Sequence, residues 1–485
     1  MAFPRWFSLL CIVSLAGCSQ NSRTVLHMAA ELEARGRFTA ASDHLEHAAR
    51  GASAADAAVF ERERERLRRI RLDHPYTDST LYLELTRRFD ELPWQEFSSW
   101  VKEGRFDSRM IDDTLRFFAL SRRNLFWRYP QLNARRLPAP NDSVYEHRLL
   151  AATRAITRQA EQTGSVRVLP LQFILRMRVS VDGGIVPPGE LVRAWLPVPR
   201  GFPHQREFMV LSSAPPVTAL APAEAPARSA YFENRAEGSE PIVFELTYRF
   251  TADGVRFPMH ASDILPYERD DPVVARYTGE APHVQFTPSV REASQMILGP
   301  GEPNPLLRAR RIFNWITENF LYSHAEEYST LRNISQYCLE RRRGDCGQLA
   351  LLFITLCRLN DVPARWQSGW WIFPGSKTIH DWAEIYLNPY GWVPVDPNMG
   401  MEALRYHTTL TWAERREVRD FFFGGLDQYR VAANADHSQA LTPEKRALRS
   451  DDVDFQRGEV EFGTTNVYFD SRSYELVVEE ARALR

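Results

Sequence analysis

The sequence has 485 residues, which is too long for one ordinary domain and predicts about three domains. Hydrophobic residues make up 44% and charged residues 25% of the chain, which excludes a disordered chain, a collagen-like fibre and a pure coiled coil. Five cysteines are too few for a disulfide framework, and a net charge of −2 without a polybasic window gives no reason to expect nucleic-acid binding.

Residues 1–17 have the pattern of a secretory signal, since Arg5 precedes an apolar stretch that is too short to span a bilayer. The stretch ends in Leu15-Ala16-Gly17-Cys18, which resembles the lipobox of bacterial lipoproteins. The resemblance implies cleavage before Cys18, lipidation of its thiol and a firm membrane anchor in the bacterial cell envelope. In a Gram-negative organism it favours the outer membrane, facing the periplasm. The alternative is a plain secretory signal with a chance cysteine. No other window reaches 18 apolar residues, so no transmembrane helix is predicted.

The region 18–165 is predicted to be helical. Residues 24–72 place apolar side chains at helical spacing on both sides of Gly36, like one helix-turn-helix unit of the tetratricopeptide type. A second copy is not evident, so a repeat array is not predicted. Asp78 is the predicted N-cap of a further helix.

The region 166–260 is predicted to be an antiparallel β-sandwich. At about residue 168 apolar and polar residues begin to alternate, which is typical of strands. The predicted strands are 173–181, 192–197 and 242–250. The Pro/Ala-rich segment 214–228 is predicted to be an exposed loop.

The region 261–430 mixes helices and strands, and 431–485 is a C-terminal extension with a predicted hairpin around 462–466. The mixed region has predicted helices over 310–320 and 346–359, and predicted strands over 381–387 and 392–396 joined by a turn at 388–391.

Three short motifs carry candidate chemistry, in the chain order Cys346, His380, Asp396. Asp345 is a predicted N-cap, with Gln348 placed as in a capping box, so that Cys346 begins a helix. The positive end of the helix dipole favours a thiolate there.

His380 opens one predicted strand and Asp396 ends the next, so the turn between the strands brings the two residues close together. A cysteine nucleophile needs an imidazole to take its proton and a carboxylate to fix the imidazole tautomer. We therefore predict Cys346 as nucleophile, His380 as base and Asp396 as the orienting acid.

The segments GDCGQ, HDWAE and GWVPVD resemble, in order and spacing, the three catalytic motifs of the transglutaminase-like superfamily. The resemblance implies a papain-like α+β catalytic domain, with the cysteine on a central helix and the histidine and aspartate on an antiparallel sheet. It implies acyl transfer through a thioester. No cofactor is predicted. The fold class is therefore predicted to be α+β and multidomain. A zinc site is disfavoured by residue spacing, and no acidic loop suggests calcium, so no metal is predicted.

An oxyanion hole is also needed, and the Cys346 amide N–H is its natural first donor. The resemblance implies an upstream aromatic or amide side chain as the second donor. Tyr322 is the candidate, with Gln348 and Trp315 as rivals.

We predict a membrane-anchored peptidase or amidase that acts on a peptide or protein substrate and does not bind nucleic acid. Protein cross-linking is one alternative, and a non-catalytic envelope scaffold with a vestigial triad is another. Asp381 is expected to be structural or a rim group, and Cys338 and Cys357 to be ordinary thiols, with a disulfide between them left open. The oligomeric state is not predicted.

Overall fold

A computed structural model describes residues 20–138, 143–268, 270–299 and 301–484. The signal segment and the lipidation candidate Cys18 lie outside the described residues. The chain separates into two compact units, one up to Phe126 with Ala134–Pro138, the other Trp127–Asn133 with the chain from Ala139 onward. Within the described ranges, no helix is long and apolar enough to cross a membrane.

The first unit consists of helices and one short hairpin. Its helices are α1 Gln20–Ala34, α2 Phe38–Ala49, α3 Ala54–Asp73, α4 Asp78–Thr86, α5 Trp94–Lys102 and, at its end, α6 Ser121–Arg128. The hairpin strands are β1 Ser108–Ile111 and β2 Thr114–Phe117.

The predicted helical hairpin is formed by α1 and α2, which turn at Gly36 with a φ of +74°. The third helix, α3, completes the group, because Phe38, Leu45 and Phe60 are buried in one apolar cluster. A helix with one apolar face needs such neighbours to cover it.

Two features of this unit differ from the prediction. Thr77, and not Asp78, caps α4, since the Thr77 side chain accepts a hydrogen bond from the Thr80 backbone N–H. The β1–β2 hairpin interrupts a stretch predicted to be mostly helical. Strands of four residues are too short for a period of two to be recognised in the sequence.

The second unit contains the remaining helices and strands. Its helices are α7 Ser143–Thr163, α8 Pro272–Tyr277, α9 Pro288–Leu298, α10 Pro305–Asn319, α11 Ile334–Arg341, α12 Cys346–Leu359, α13 Pro397–Tyr406 and α14 Trp412–Phe421. Its strands are β3 Arg167–Val181, β4 Leu191–Pro197, β5 Gln205–Ala214, β6 Ala219–Leu220, β7 Ser229–Arg235, β8 Ile242–Arg256, β9 Leu321–Tyr322, β10 Arg343–Gly344, β11 Ala364–Phe373, β12 Ser376–Leu387, β13 Gly391–Val395, β14 Gly425–Leu426, β15 Arg430–Asn434, β16 Glu459–Phe462, β17 Thr465–Asn466 and β18 Arg472–Ala483.

The predicted antiparallel β-sandwich is confirmed. One sheet has the order β14-β8-β3-β18, with β5 also pairing with β8, and the other has the order β17-β16-β4-β7-β6. Leu175 and Leu246 of the first sheet are buried in one cluster with Ala194 and Phe232 of the second. The alternation that predicts β3 and β8 is thus the alternation of core and outer side chains.

The sandwich has strands that the sequence did not predict. β5 is exposed at most positions and has no clear alternation, and β6 lies in the predicted loop 214–228. The predicted hairpin at 462–466 is formed by β16 and β17, and β18 pairs with β3 along most of its length. Segment 431–485 therefore adds strands to both sheets of the sandwich. The domain boundaries stay a prediction.

A second antiparallel sheet, with the order β13-β12-β11-β15, holds the candidate site. The predicted helix over 346–359 is α12, with the same bounds. Ala383 and Ile385 of β12 share a buried cluster with Leu349 and Leu352 of α12. The site therefore lies where the buried helix begins, beside the middle of β12.

Candidate active site

The predicted nucleophile, Cys346, is the first residue of α12. The Asp345 carboxylate caps the helix by accepting a hydrogen bond from the Gln348 backbone N–H at 3.0 Å. The reciprocal hydrogen bond, from the Asp345 backbone N–H to the Gln348 side-chain oxygen, is not formed, so only one half of the predicted capping box is present at this helix. Because α12 is buried along its length, the predicted nucleophile sits on a rigid element.

The β12–β13 hairpin brings the predicted base and acid together. His380 Nε2 and Asp396 Oδ2 are 2.7 Å apart, and both side chains are buried. Asp396 Oδ1 accepts a hydrogen bond from the Met399 backbone N–H at 3.0 Å, because Asp396 also caps α13. With Nε2 donating to the carboxylate, Nδ1 is the ring nitrogen left to take a proton from a thiol.

The Cys346 thiol has Asp381 as its hydrogen-bond partner. It donates to Asp381 Oδ2 over 3.4 Å, and among the described residues no hydrogen bond joins it to His380. The structure therefore brings the predicted nucleophile to the residue that follows the predicted base in the chain. Asp381, expected to be structural or a rim group, is buried and contacts the Cys346 sulfur.

The thiol environment opposes ionisation. Burial raises the pKa of Cys346 well above its ordinary value, and the Asp381 and Asp345 carboxylates raise it further. The pKa of Cys346 is therefore raised, whereas its position at the helix N-terminus predicted a lowered pKa. The helix dipole is equivalent to about half a charge, and here it is outweighed by burial and two nearby carboxyls.

Buried polar groups from the C-terminal segment surround this contact. Gln456 Nε2 donates to Asp381 Oδ1 at 2.6 Å and to the His380 carbonyl oxygen at 3.1 Å. Burial raises the pKa of Asp381 well above its usual range, and the charges of Asp454 and Asp345 act in the same direction. Sequence reasoning missed Gln456 and Asp454, because they lie in an irregular segment without a motif, far along the chain from the nucleophile.

Buried acids predict that the protein is more stable at pH 5.5 than at pH 7.5, by about 1 kcal/mol. Burial raises the pKa of Asp345 to about 6 and those of Asp451 and Glu402 to about 7. The folded protein therefore binds protons more tightly than the unfolded chain at these sites, and its stability grows as pH falls through these values. Burial lowers the pKa of His283 and His407 to about 4, which acts in the opposite direction below pH 6.5 but at fewer groups.

Urea unfolding at the two pH values measures this effect. Glu402→Gln removes one of the contributing carboxyls and is expected to reduce the difference in midpoint. A midpoint that falls steadily from pH 7.5 to pH 5.5 would contradict the prediction.

The oxyanion candidate Tyr322 lies close to the nucleophile. β9 and β10 pair in parallel, with Tyr322 opposite Gly344, two residues before Cys346. Burial raises the pKa of Tyr322 well above its ordinary value, and the proximity of Cys346 adds to the shift. Its rival Trp315 lies under the Arg342 guanidinium, 4.7 Å from the ring centre. The role of Tyr322 stays a prediction.

Other candidate groups have structural positions. Cys338, Cys346 and Cys357 are all free thiols, so Cys338 and Cys357 are not paired with each other. Trp366, Trp370 and Trp371 are buried and belong to the core. Within the described ranges, no group of three or more His, Cys, Asp or Glu residues could hold a metal ion.

Comparison with known proteins identifies the region around the site. Residues 294–397 match the model of a family described as the transglutaminase-like superfamily, and this range contains Cys346, His380 and Asp396. The family match supports a cysteine-dependent enzyme.

Two bacterial relatives are similar over part of their length. An uncharacterized protein of Haemophilus influenzae is 24% identical over 200 residues, which are 35% of this chain and 53% of that protein. An uncharacterized protein of Bacillus subtilis, YebA, is 27% identical over 103 residues, which are 18% of this chain and 13% of that protein. The chain thus spans about half the length of the first relative and a smaller part of the second.

Two solved structures resemble the chain more distantly. A candidate cysteine protease from Cytophaga hutchinsonii has a TM-score of 0.41 and 13% identity, covering 65% of this chain and 92% of that one. The periplasmic domain of TgpA from Pseudomonas aeruginosa has a TM-score of 0.28 and 14% identity, covering 52% of this chain and 94% of that domain.

The family match and the three motifs agree in position, and the motif residues lie at one end of a buried helix and on the sheet beside it. Residues 294–397 therefore form a domain of the transglutaminase-like superfamily.

Proposed function

We propose that the protein is a cysteine acyl-transfer enzyme that hydrolyses amide bonds in peptides or proteins. Cys346 Sγ attacks the carbonyl carbon while His380 Nδ1 takes the thiol proton and passes it to the leaving amine. The C–N bond breaks and a thioester remains on Cys346. Water then attacks the thioester, His380 accepts its proton, and the acid and the thiol are released.

The buried hydrogen bond between His380 and Asp396 supports this proposal most strongly. A carboxylate that accepts from Nε2 fixes the tautomer and the direction of the imidazole, which is what a cysteine nucleophile requires of its base. Here the pair leaves Nδ1 free of the Asp396 carboxylate, and His380 is the chain neighbour of Asp381, the residue that the thiol contacts. Successive side chains of a strand leave opposite faces, and Asp381 lies on the face of β12 that packs against α12, so the mechanism requires a local rearrangement that brings the Cys346 sulfur and His380 Nδ1 together.

Hydrolysis is favoured over cross-linking, because water is present in vast excess and the sequence identifies no site for an amine acceptor. The observation that favours a different function is the hydrogen bond between the thiol and Asp381, which suits a silent cysteine in an envelope scaffold. The experiment below separates these functions.

The proposed location is the bacterial cell envelope, with the chain held by a lipid on Cys18. The lipobox-like end of the signal segment supports it. Peptides or proteins of the envelope are then the substrates within reach. Metabolic labelling with a fatty-acid analogue is expected to mark the wild-type chain and not a Cys18→Ala variant.

The reactivity of Cys346 toward iodoacetamide tests the catalytic role. Near neutral pH we expect the label on Cys346 because Cys338 and Cys357 are completely buried. His380→Ala is expected to slow labelling about tenfold, because the proton acceptor is lost. The exposed His147 gives the control, since His147→Ala should label like the wild type. Equally slow labelling of wild type and His380→Ala would overturn the enzyme and favour the scaffold.

The acyl group trapped on Cys346 from envelope extract identifies the substrate by mass spectrometry. Added amine distinguishes the two enzymatic outcomes. A product that carries the amine at the expense of free acid indicates cross-linking, and free acid alone indicates hydrolysis.

A further inference from the structure

A fully buried arginine is bonded to the acid of the proposed triad. Arg430, the first residue of β15, is 1% exposed as a side chain. Its Nη1 donates to Asp396 Oδ2 at 2.9 Å, and its Nε donates to Asp427 Oδ2 at 2.9 Å. The arginine therefore links the triad acid to a second carboxylate that the catalytic motifs do not contain.

Asp396 Oδ2 receives the hydrogen bonds of both Arg430 and His380. Burial on its own would raise the pKa of Asp396, yet His380 and Arg430 together hold it below its usual range. Asp427 in turn keeps the guanidinium compensated, and its Oδ1 accepts from Trp371 Nε1 at 3.1 Å. The charged side chains of Asp427, Arg430 and Asp396 therefore each lie beside a side chain of opposite charge.

Aromatic rings exclude water from the arginine. Its guanidinium carbon lies 5.7 Å from the Trp371 ring centre, 5.3 Å from that of Trp382 and 5.7 Å from that of Phe422. The His380 ring lies 6.2 Å from the Trp371 ring and 6.1 Å from the Trp382 ring. The same two indoles thus confine base and arginine, and charge interactions are strong in such a dry setting.

We propose that Arg430 is a positioning residue that keeps Asp396 ionised and aimed at His380 Nε2. The catalytic unit then runs from Asp427 through Arg430 and Asp396 to His380. Without the guanidinium, a carboxyl buried among aromatic rings is stabilised when it is protonated, and it can no longer accept from Nε2 in a fixed direction. The inference rests on the proposed function in one respect only, that His380 serves Cys346.

The first test measures the histidine itself and needs no catalysis. In protein labelled with ¹⁵N-histidine, the nitrogen spectrum distinguishes an Nε2–H ring from an Nδ1–H ring. We expect a single Nε2–H form of His380 in the wild type and in Arg430→Lys. Arg430→Met should show a mixture of the two forms. An unchanged Nε2–H form in Arg430→Met would overturn the inference.

The second test measures the rate at which iodoacetamide labels Cys346. Arg430→Met is expected to lower the rate by about threefold or more, up to the loss of about tenfold expected for His380→Ala, and Arg430→Lys to recover most of the loss because it keeps the charge. In an Asp396→Asn background, Arg430→Met should add less than about twofold, since the group through which it acts is already gone. If the reductions in labelling rate multiply in the double variant, or if Arg430→Lys slows labelling as much as Arg430→Met, Arg430 only fills space.

The control is Arg228→Met, which removes a buried arginine from the sandwich of the same unit. It should lower stability without changing the Cys346 labelling rate. If Arg430→Met does not fold, Arg430→Lys is the deciding variant. A space-filling role predicts slowed labelling and a mixture of tautomers in Arg430→Lys, whereas the positioning role predicts neither. Failure of the proposed function would give a different result. The labelling rate of Cys346 would then be the same in wild type and His380→Ala, while the His380 tautomer would still change in Arg430→Met.

Discussion

Replacing Gly347 with alanine is expected to abolish the reactivity of Cys346 and to lower the free energy of unfolding by at least about 3 kcal/mol. An added Cβ would lie 2.1 Å from the Tyr328 hydroxyl oxygen, 2.7 Å from Asp381 Oδ2 and 2.7 Å from the Trp366 ring. These neighbours cannot withdraw, because Tyr328 is buried and its hydroxyl donates to Asp345 Oδ1 at 2.7 Å. Moving it breaks the hydrogen bond on the helix cap beside the nucleophile.

Urea unfolding and iodoacetamide labelling measure the two effects. Gly279→Ala is the matched control, since its added Cβ has nothing within 4 Å and the backbone has an ordinary φ. Combining Gly347→Ala with Tyr328→Phe removes the 2.1 Å contact and should recover part of the stability. Wild-type stability and labelling in Gly347→Ala would contradict the described geometry.

Replacing Asp381 with asparagine is expected to make Cys346 more reactive at pH values above the raised pKa of Asp381, where its carboxyl is charged, by about tenfold or more. Apart from burial, the Asp381 carboxylate is the largest cause of the raised pKa of Cys346. Asparagine has the same shape and can still accept from Gln456, but it carries no charge and its amide can donate to the sulfur. The thiol should therefore ionise at lower pH, since one pKa unit changes the thiolate fraction tenfold.

The labelling rate measured from pH 6 to pH 10 gives the midpoint for the thiol in each variant. Asp381→Asn should shift that midpoint downward. Asp452→Asn removes an exposed carboxylate of the C-terminal segment and should leave it in place. An unchanged midpoint in Asp381→Asn would show that the hydrogen bond to Asp381 does not govern the thiol.

Local sequence patterns predicted the parts of the site that depend on neighbours in the chain. The start of α12 at Cys346 follows from a capping aspartate and an apolar stripe. The approach of His380 and Asp396 follows from two strands joined by a short turn. These predictions needed no knowledge of distant contacts.

The remaining site residues come from long-range pairing. Arg430 begins β15, which pairs with β11, whereas Asp396 follows β13 at the opposite edge of the same sheet. Their hydrogen bond therefore depends on how the whole sheet assembles. Gln456 lies on an irregular segment that follows the sheet in the chain. Nothing in the sequence around either residue indicates which strand it will meet. The reversed pKa shift of Cys346 has the same origin, since the nearest carboxylate lies on another element.

The order of these residues along the chain has a consequence during synthesis. A ribosome makes Cys346, His380 and Asp396 before it makes Arg430 and Gln456, and β18 comes later still. A nascent chain therefore carries the sulfur before it carries the side chains that hold its acid and its base in place, and domains generally fold as units. The hydrogen bonds that Arg430 makes to Asp396 and Gln456 makes to Asp381 are therefore both in place only after residue 456 has been made.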